Sequence, residues 1–390
     1  MTQPVTALAV LGLGLFGLLT STVFTGMVAV AAERFLRSCP RGPQAISAPV
    51  SLLKPVHGAE LNLEQQIESF FEQDCDGYEI LFCARQLNDP GLEVARRVAT
   101  RYPHVPVQFL ASGEPTIPNA KLQSLELMAQ QARYDILIIS DSDVRVARDY
   151  VRSIAADFSN PQVGAVTCLY RGCAVMGGFW AGIEAAAMSI EMSAGVLVAN
   201  MLEGMKFTLG PTMAVRRSSL ARIGGFLPMG GYCADDFLLG NRVAALGETV
   251  VLSHHVIDHI VLHDTFRASM QHQARWMKST RFSRPKGHFG TALTFSVPFG
   301  VLAAIGAAAA GWPVLAAALL AWSIGSRMAM AALLGRRVLH ERPLWRVVLL
   351  YPVRDLMALG FWASSYASRR ILWRGEWYEL EIEGRMRRVG

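Results

Sequence analysis

Two carboxylates, one residue apart, follow a short apolar run near the middle of the chain. The run covers residues 134–140, and Asp141 and Asp143 come directly after it. Such a run is typical of a buried strand, and side chains two residues apart on a strand point the same way. Two carboxylates held that close repel each other unless a cation lies between them, and hard oxygen ligands suit Mg²⁺ or Mn²⁺. The spacing therefore favours a divalent metal site of the kind that bridges a diphosphate.

The same residues also have a purely structural interpretation. Asp and Ser are common in turns and at the first positions of helices, so Asp141 and Asp143 could simply cap a helix. This segment on its own leaves both interpretations open.

Alternating strands and helices are predicted around these carboxylates. Strands are expected at residues 50–55, 78–84, 105–110 and 134–140, and helices at 61–73, 90–101 and 120–132. Repeated β-α units of this length indicate an α/β fold with a mostly parallel sheet and helices on both faces. Ligands of such sheets bind at the carboxyl ends of the strands. Asp89, which also follows a strand, is expected to share a crevice with Asp141 and Asp143.

The next part of the chain mixes strands with one helix of small residues. Strands are predicted at residues 163–169, 207–215, 249–253 and 256–263. The helix at residues 179–201 carries Glu184 and Glu191 and is rich in Gly and Ala, so we expect an interfacial or core helix rather than a membrane span.

Composition places the chain among membrane proteins with a sizeable soluble part. Of its 390 residues, 52% are hydrophobic and only 17% are charged, whereas soluble domains are about a quarter charged. The net charge is +6, and arginines next to apolar segments indicate anionic lipid headgroups rather than nucleic acid. The six cysteines form no CxxC pair, which argues against a zinc site or a disulfide framework and favours reduced thiols.

Residues 5–32 carry no charge and are long enough to cross a bilayer. Arg34, Arg37 and Arg41 follow at once, so the positive-inside rule places the next domain in the cytoplasm. In a cleaved signal peptide the positive charge precedes the apolar run, whereas here the arginines follow it, so a signal peptide is disfavoured.

Apolar segments return after residue 290. Residues 291–310 and 314–334 are expected to form a helical hairpin in the membrane, and 347–366 a further span. Arg354 and Asp355 in that last segment are costly unless they are paired or interfacial. Basic residues near the end favour a tail on the cytoplasmic side, whereas one leading and three trailing spans would place the tail outside. A third trailing segment that is re-entrant or lies on the surface would reconcile the two.

The predicted domains are a transmembrane helix at 1–35, a catalytic domain at 48–290, transmembrane helices at 291–368 and a basic tail at 369–390.

Further groups able to do chemistry lie later in the chain. Asp235 and Asp236 follow a glycine-rich loop, and each, like Asp89, could instead be a helix cap. Arg275 and Trp276 lie in a basic stretch before the membrane hairpin, where a guanidinium can hold a diphosphate. His263 and His272 could be ligands or hydrogen-bond donors, although a structural role is the ordinary one for a single histidine.

In this order, the residues resemble a known signature. Asp89, Asp141-Ser-Asp143, Asp235-Asp236 and Arg275-Trp276 match the D, D, D, (Q/R)xxRW pattern of family-2-like glycosyltransferases. The chain looks most like the ceramide glucosyltransferase group of family 2/21 type, including bacterial hopanoid-biosynthesis-associated glycosyltransferases. The resemblance covers about residues 50–290, with supporting stretches at 51–55, 69–74, 163–172, 224–226 and 281–285. His272 departs from the pattern, which has Gln or Arg there.

The resemblance implies a GT-A fold and a membrane-bound inverting transfer from a UDP-sugar to a lipid hydroxyl. Lys54 and Asp89 would bind the donor, and Asp141 and Asp143 would hold its diphosphate through Mg²⁺ or Mn²⁺. Asp236 would be the general base, with Asp235 the second candidate. Arg275 and Trp276 would stabilise the departing nucleoside diphosphate, with His272 beside them.

The expected setting is a multi-pass protein of the cytoplasmic membrane whose catalytic domain faces the cytoplasm. Its partners would be a UDP-sugar and a lipid acceptor, with no nucleic acid and no obligate protein partner. Glucose with ceramide and N-acetylglucosamine with a hopanoid are both open as sugar and acceptor. A processive polysaccharide synthase and a non-enzymatic membrane protein with a nucleotide-binding domain are the alternative functions.

Overall fold

The fold divides into two compact units that are interleaved along the chain. The computed structural model describes residues 2–39, 48–373 and 375–389. We call Met1–Ser38, Ala174–Leu202 and His263–Leu372 the apolar unit, and Cys39–Cys173, Glu203–Leu262 and Trp373–Gly390 the sheet unit. The sequence predicts one continuous segment at 48–290, whereas 174–202 and 263–290 belong to the apolar unit. Two arginines lie outside the described residues: Arg41, which the positive-inside argument uses, and Arg374, which belongs to the predicted basic tail.

Eleven strands are present in the described residues. They are β1 Val50–Pro55, β2 Tyr78–Ala84, β3 Val107–Ala111, β4 Ile136–Ser140, β5 Val144–Arg145, β6 Val163–Cys173, β7 Thr212–Arg216, β8 Thr249–Ile260, β9 Arg370–Trp373, β10 Glu376–Leu380 and β11 Met386–Arg388.

Fourteen α-helices accompany them in the same part of the chain. They are α1 Thr2–Arg37, α2 Leu63–Glu68, α3 Pro90–Ala99, α4 Ala120–Gln131, α5 Tyr150–Asp157, α6 Phe179–Ala186, α7 Met192–Glu203, α8 Arg217–Arg222, α9 Asp235–Ala245, α10 Phe266–Ser283, α11 Pro285–Thr291, α12 Val297–Ala309, α13 Pro313–Arg337 and α14 Leu344–Ser364. A π-helical turn, Ala187–Glu191, joins α6 to α7.

The sheet unit is built on an eight-stranded sheet of order β3-β2-β1-β4-β7-β6-β8-β5. Strands β3, β2, β1 and β4 run parallel, as do β6 and β8, whereas β7 is antiparallel to both its neighbours. The first four strands are almost wholly apolar, as strands covered by helices on both faces must be. The predicted α/β fold with a mostly parallel sheet is confirmed.

Three predicted strands take a different form. The strand expected at 207–215 begins only at Thr212, because residues 209–212 form a turn that includes Pro211, which has no N–H to donate. The strands expected at 249–253 and 256–263 are one strand, β8, in which an irregularity after Ser253 shifts the register with β6. Such a bulge re-aims the side chains that follow it.

The order of the strands brings polar groups to one edge of the sheet. Lys54 lies near the carboxyl end of β1, and Asp89 and Asp141 follow the carboxyl ends of β2 and β4. Because β7 is antiparallel to β4, Thr212 at its start pairs with Ser140 at the same edge. The edge at which the crevice is expected thus carries residues from four segments of chain.

The predicted basic tail is a folded hairpin. Strand β10 pairs antiparallel with β11, with Leu380 opposite Met386. The hairpin also holds the glycine-rich loop: Met386 N–H donates to Gly231 O at 2.7 Å, and Cys233 N–H donates to Gly384 O at 3.0 Å. The loop that precedes Asp235 is therefore fixed by residues from the far end of the described chain.

The apolar unit contains helices with the length and composition of membrane spans. Within the described residues, four helices qualify, namely Val5–Arg37, Phe179–Glu203, Pro313–Arg337 and Leu344–Ser364. A fifth candidate is the pair Pro285–Thr294 and Val297–Ala309, which is bent by 48° as in a broken span or a re-entrant loop. Phe179–Glu203 is continuous through its π turn and has the length and composition of a span, whereas the sequence predicts an interfacial or core helix. Inside the protein, 61% of its most apolar 18-residue stretch is buried.

Small residues and paired charges hold these helices together. A Cβ on Gly306 would lie 2.4 Å from Leu11 N, so glycine is what allows α1 and α12 to meet. Asp355 Oδ2 accepts from Ser296 N at 2.8 Å and from Val297 N at 2.7 Å, which caps the first turn of α12, and its Oδ1 lies 3.7 Å from Arg327 Nη1. The charges that are costly in a bilayer are therefore paired, as the sequence required.

Met386→Pro tests the support that the hairpin gives to the glycine-rich loop. Proline removes the N–H that donates a hydrogen bond to Gly231 O. Because the carbonyl of Gly231 then loses this partner, the free energy of unfolding should fall by about 1–3 kcal/mol. Hydrogen–deuterium exchange of residues 230–236 should rise in this variant. Met386→Leu keeps the N–H and an apolar side chain, so it is the matched control. Equal exchange in the two variants would show that the hairpin does not support the loop.

Candidate functional site

Asp141 and Asp143 lead into a strand, not a helix. The turn in which Val144 N–H donates to Asp141 O at 3.4 Å is followed by β5, so these residues do not cap a helix. Asp143 Oδ2 lies 3.1 Å from His259 Nε2 and accepts the hydrogen bond when that ring nitrogen carries a proton. Burial alone would raise the pKa of Asp143, but the neighbouring His259 and Lys54 outweigh it and hold the pKa at about 2. Asp143 is therefore ionised at neutral pH.

Two lysines balance the charge at this edge. Lys121, in the first turn of α4, places its ammonium 2.5 Å from Asp141 Oδ1 and 4.0 Å from Asp235 Oδ2. Burial would lower the pKa of Lys121, but these two carboxylates raise it, so Lys121 is a fixed positive charge. Lys54 is buried, donates to Asp141 O at 2.5 Å and lies 3.8 Å from the centre of the Phe70 ring. Burial lowers the pKa of Lys54 to about 7, although nearby carboxylates act against it.

Asp235 and Asp236 occupy the first turn of α9, whose positive end favours carboxylates. Asp235 Oδ1 accepts from Asn119 Nδ2 at 3.1 Å. Asp236 Oδ2 accepts from Gly210 N at 2.8 Å, and its Oδ1 accepts from Phe237 N at 2.8 Å. A Cβ at position 210 would lie 3.2 Å from Asp236 Oδ2, which explains glycine there.

The two acids of α9 have different chemical environments. Burial raises the pKa of Asp236 to about 6, and the neighbouring Asp235 carboxylate adds to the effect. Burial also raises the pKa of Asp235, while Lys121 opposes it. Asp236 is thus a carboxylate whose pKa lies close to neutral pH, as a general base requires.

Asp89 is the helix cap that its sequence context allows. Its Oδ1 accepts from Gly91 N at 2.8 Å at the start of α3, where Pro90 occupies the first helical position, and from Gly58 N at 2.9 Å. Its Oδ2 lies 3.7 Å from His57 Nδ1. A donor-binding role for Asp89 stays a prediction, since these contacts are accounted for by local structure.

The donor set at the sheet edge suits a hard divalent cation. Asp143 Oδ1 is buried and has no hydrogen-bond partner among the described residues, whereas buried carboxylate oxygens are normally paired. Asp141 offers a second carboxylate, whose Oδ1 lies 2.5 Å from the Lys121 ammonium. An all-oxygen set next to an unpaired buried oxygen is what Mg²⁺ or Mn²⁺ prefers.

The remaining predicted residues lie in the apolar unit on α10. His272 Nδ1 lies 2.7 Å from Glu184 Oε1, and its ring is 4.6 Å from that of Trp276. Burial lowers the pKa of His272 to about 4 although Glu184 opposes this, so the imidazole is neutral at pH 7. Arg275 lies on the same helix. The structure thus brings together Lys54, Asp141, Asp143, Asp235 and Asp236 in the sheet unit, while the shared role of His272, Arg275 and Trp276 stays a prediction.

Three residues of the site escape the sequence analysis. Lys121, Asn119 and His259 are each a single polar residue in an otherwise unremarkable segment. Lys121 could have been singled out from the sequence, because it lies at the start of a predicted helix in which Glu126 is the one other charged residue. His259 carried no such signal, since its direction depends on the bulge in β8.

Comparison with known proteins gives a family match over nearly the whole chain. The model of glycosyl transferase family 21 matches residues 15–386. Ceramide glucosyltransferase 1 of Caenorhabditis elegans is 29% identical over 206 residues, which is 53% of this chain and 44% of that protein. Ceramide glucosyltransferase of Komagataella phaffii is 37% identical over 101 residues, 25% of this chain and 20% of that protein. The chain therefore matches less than half the length of either relative.

Solved structures that are similar to this chain include the following two. A mannosyltransferase from Pyrobaculum calidifontis in complex with GDP-Man and Mn²⁺ has a TM-score of 0.49 at 18% identity, over 89% of this chain and 98% of that one. S. aureus TarS 1–349 in complex with UDP-GlcNAc has a TM-score of 0.41 at 12% identity, over 88% of this chain and 99% of that one. At these values the likeness carries no information about the donor or acceptor of this chain.

Lys121→Met tests whether the ammonium balances the charge of the site. The variant leaves Asp141 and Asp235 without their counter-ion, so the free energy of unfolding should fall by about 3 kcal/mol at pH 7. In Lys121→Met/Asp141→Asn the loss should be smaller than the sum of the two single losses. Chemical denaturation in detergent micelles measures all three, with the exposed Lys206→Met as the control. Strictly additive losses would exclude a direct ionic interaction.

Proposed function

The chain belongs to glycosyl transferase family 21, and on that premise we propose that it is a membrane-bound inverting glycosyltransferase. It transfers a sugar from a UDP-sugar to the hydroxyl of a lipid acceptor, forming a β-glycolipid. The observation that carries this proposal is the arrangement at the sheet edge: Asp141 and the ionised Asp143 lie near two lysines, and Asp236 has a pKa of about 6. Such a set contains both the groups that hold a diphosphate and a base for a hydroxyl.

The diphosphate of the donor would be held from two sides. Asp141 and Asp143 would hold Mg²⁺ or Mn²⁺, and a bound ion of this type neutralises the charge that develops on a departing diphosphate. Lys121 supplies a fixed positive charge of its own, and Lys54, whose pKa is about 7, supplies one when it is protonated. Because they are already fixed by Asp141, their stabilisation of the leaving group needs little reorganisation.

Asp236 would take the proton from the acceptor hydroxyl as its oxygen attacks the anomeric carbon. The backbone N–H groups of Gly210 and Phe237 fix the carboxylate and leave lone pairs on both oxygens for a proton. Inversion needs one base and no covalent nucleophile, so a single positioned carboxylate suffices. Asp235 is the weaker candidate because Asn119 and Lys121 already engage it.

Arg275 and Trp276 would stabilise the nucleoside diphosphate as it leaves. This assignment rests on the match of the pair to the family signature and on the suitability of a guanidinium for phosphate oxygens. Asp89 would bind the base or ribose of the donor on the same grounds.

A lipid acceptor follows from the apolar unit. Nucleotide sugars are water-soluble, whereas the candidate spans would keep the enzyme at a bilayer, with a multi-pass arrangement and the sheet unit facing the cytoplasm. The named relatives support ceramide as the acceptor and glucose as the sugar. Few candidate spans argue against a processive synthase, which needs a channel.

Asp236→Asn tests the base. UDP release from the UDP-sugar in the presence of acceptor should fall about 10²–10⁴-fold, while divalent-ion binding is retained. In the unchanged protein kcat/KM should decline as the pH falls below about 6, because a protonated Asp236 cannot accept a proton. Asp235→Asn removes a carboxylate that raises this pKa, so the decline should begin at lower pH.

The pH profile separates the two aspartates. If Asp235→Asn abolished activity while Asp236→Asn remained active, the base would be Asp235. If kcat/KM of Asp235→Asn began to decline at the same pH as in the unchanged protein, the charge coupling between the two residues would be refuted.

Labelled UDP-sugars test the reaction itself. Membranes containing the protein are incubated with UDP-glucose or UDP-N-acetylglucosamine, and labelled lipids are identified by mass spectrometry, with Asp236→Asn membranes as the control. We expect glucosylceramide when ceramide is supplied. Equal glycosylation of water-soluble acceptors would contradict a lipid acceptor, a polymer would indicate a processive synthase, and no turnover with any lipid would favour the non-enzymatic alternative.

A further inference from the structure

A second cluster of side chains that can bind a metal ion lies in the apolar unit. It lies on segments of chain other than those that carry the carboxylates of the sheet edge. Glu184 of α6 is fully buried, and its Oε1 lies 3.1 Å from His263 Nδ1 and 2.7 Å from His272 Nδ1. The carboxylate oxygen and the two ring nitrogens all lie within 4.8 Å of one another. One carboxylate and two imidazoles thus converge on a single small volume.

The surroundings of the cluster fix its orientation. Ser269 Oγ donates to Glu184 Oε2 at 2.6 Å, and Gln273 Nε2 donates to Ser269 Oγ at 3.0 Å. The rings of His263 and His272 stack with their centres 4.1 Å apart, so both present the same edge to the carboxylate. Outer hydrogen bonds of this kind are what orient the ligands of protein metal sites.

We propose that Glu184, His263 and His272 bind one divalent ion of the zinc class. Two imidazoles and a carboxylate are the protein ligands of open zinc sites, in which a fourth position is left for water or another group. The ligands of a tetrahedral zinc ion lie roughly 3.3 Å apart. The two separations between Glu184 and the histidines, 3.1 and 2.7 Å, are shorter than this, and the two ring nitrogens lie within 4.8 Å of each other. The side chain of His263 is 33% exposed, which provides the path of entry.

This site differs in chemistry from the one at the sheet edge. Asp141 and Asp143 offer oxygen alone, which suits Mg²⁺ or Mn²⁺, whereas imidazole nitrogen suits Zn²⁺, Co²⁺ and Ni²⁺. The proposal does not depend on the sugar transfer, because the donor set of the cluster is complete within the apolar unit.

Metal titration of the full chain in lipid nanodiscs tests the proposal. The protein is stripped with a chelator and loaded with Zn²⁺ or Co²⁺, and bound metal is counted by mass spectrometry while the visible absorption of Co²⁺ reports its ligands. One equivalent of Zn²⁺ should remain in Asp141→Asn/Asp143→Asn, with a Co²⁺ spectrum of nitrogen and oxygen ligation. His263→Ala and His272→Ala should each lose that equivalent, and the exposed His104→Ala should keep it.

Two milder variants keep the test independent of folding. Ser269→Ala retains all three ligands and should weaken Zn²⁺ binding about 10–100-fold, because it removes the outer hydrogen bond to Glu184. Glu184→Gln retains a polar side chain of the same size and should abolish the Co²⁺ spectrum. The proposal would be wrong if the histidine variants eluted as folded protein in size-exclusion chromatography and still bound as much metal as the unchanged protein. It would also be wrong if no equivalent of Zn²⁺ remained in Asp141→Asn/Asp143→Asn.

Discussion

The balance of buried charge at one edge of the sheet is the constraint on which the rest of the site depends. Four carboxylates, Asp141, Asp143, Asp235 and Asp236, come from two segments of chain and would repel one another without positive partners. Lys121 joins the two segments by contacting Asp141 and approaching Asp235. Burial is the main cause of the raised pKa of Asp236, and the neighbouring Asp235 carboxylate adds to it. The burial of these carboxylates therefore both requires the lysine partners and shifts the pKa of Asp236.

Much of this architecture could be predicted from the sequence because it depends on local pattern. Apolar runs gave the parallel strands, and the carboxylates that follow them lie at one edge because parallel strands end together. The partners of those carboxylates could not be predicted in the same way. His259 reaches Asp143 through a bulge in β8, and Lys121 is a single lysine on an amphipathic helix, so neither leaves a pattern of its own. The interleaving of the two units also escapes a segment-by-segment analysis.

The apolar unit solves a different electrostatic problem. Asp355 is stabilised by two backbone N–H groups and by Arg327, and Arg354 by Glu191, so that each buried charge in these helices has a counterpart. Asp355 also caps α12 directly after the bend of its helix pair. One carboxylate thus stabilises an interrupted helix where water is scarce, which is the condition under which broken helices persist in membranes.

The hairpin of β10 and β11 has a consequence for how the protein is made. The ribosome releases the glycine-rich loop and Asp235 long before it releases Gly384 and Met386, whose backbone groups hold that loop. The candidate spans Pro313–Arg337 and Leu344–Ser364 and the bent helix pair at 285–309 are synthesised in between, whereas Val5–Arg37 and Phe179–Glu203 precede the loop. During synthesis the loop that precedes Asp235 consequently lacks the hydrogen bonds from the hairpin until the last part of the described chain has been made. A nascent chain that ended before Gly384 would leave this loop unsupported.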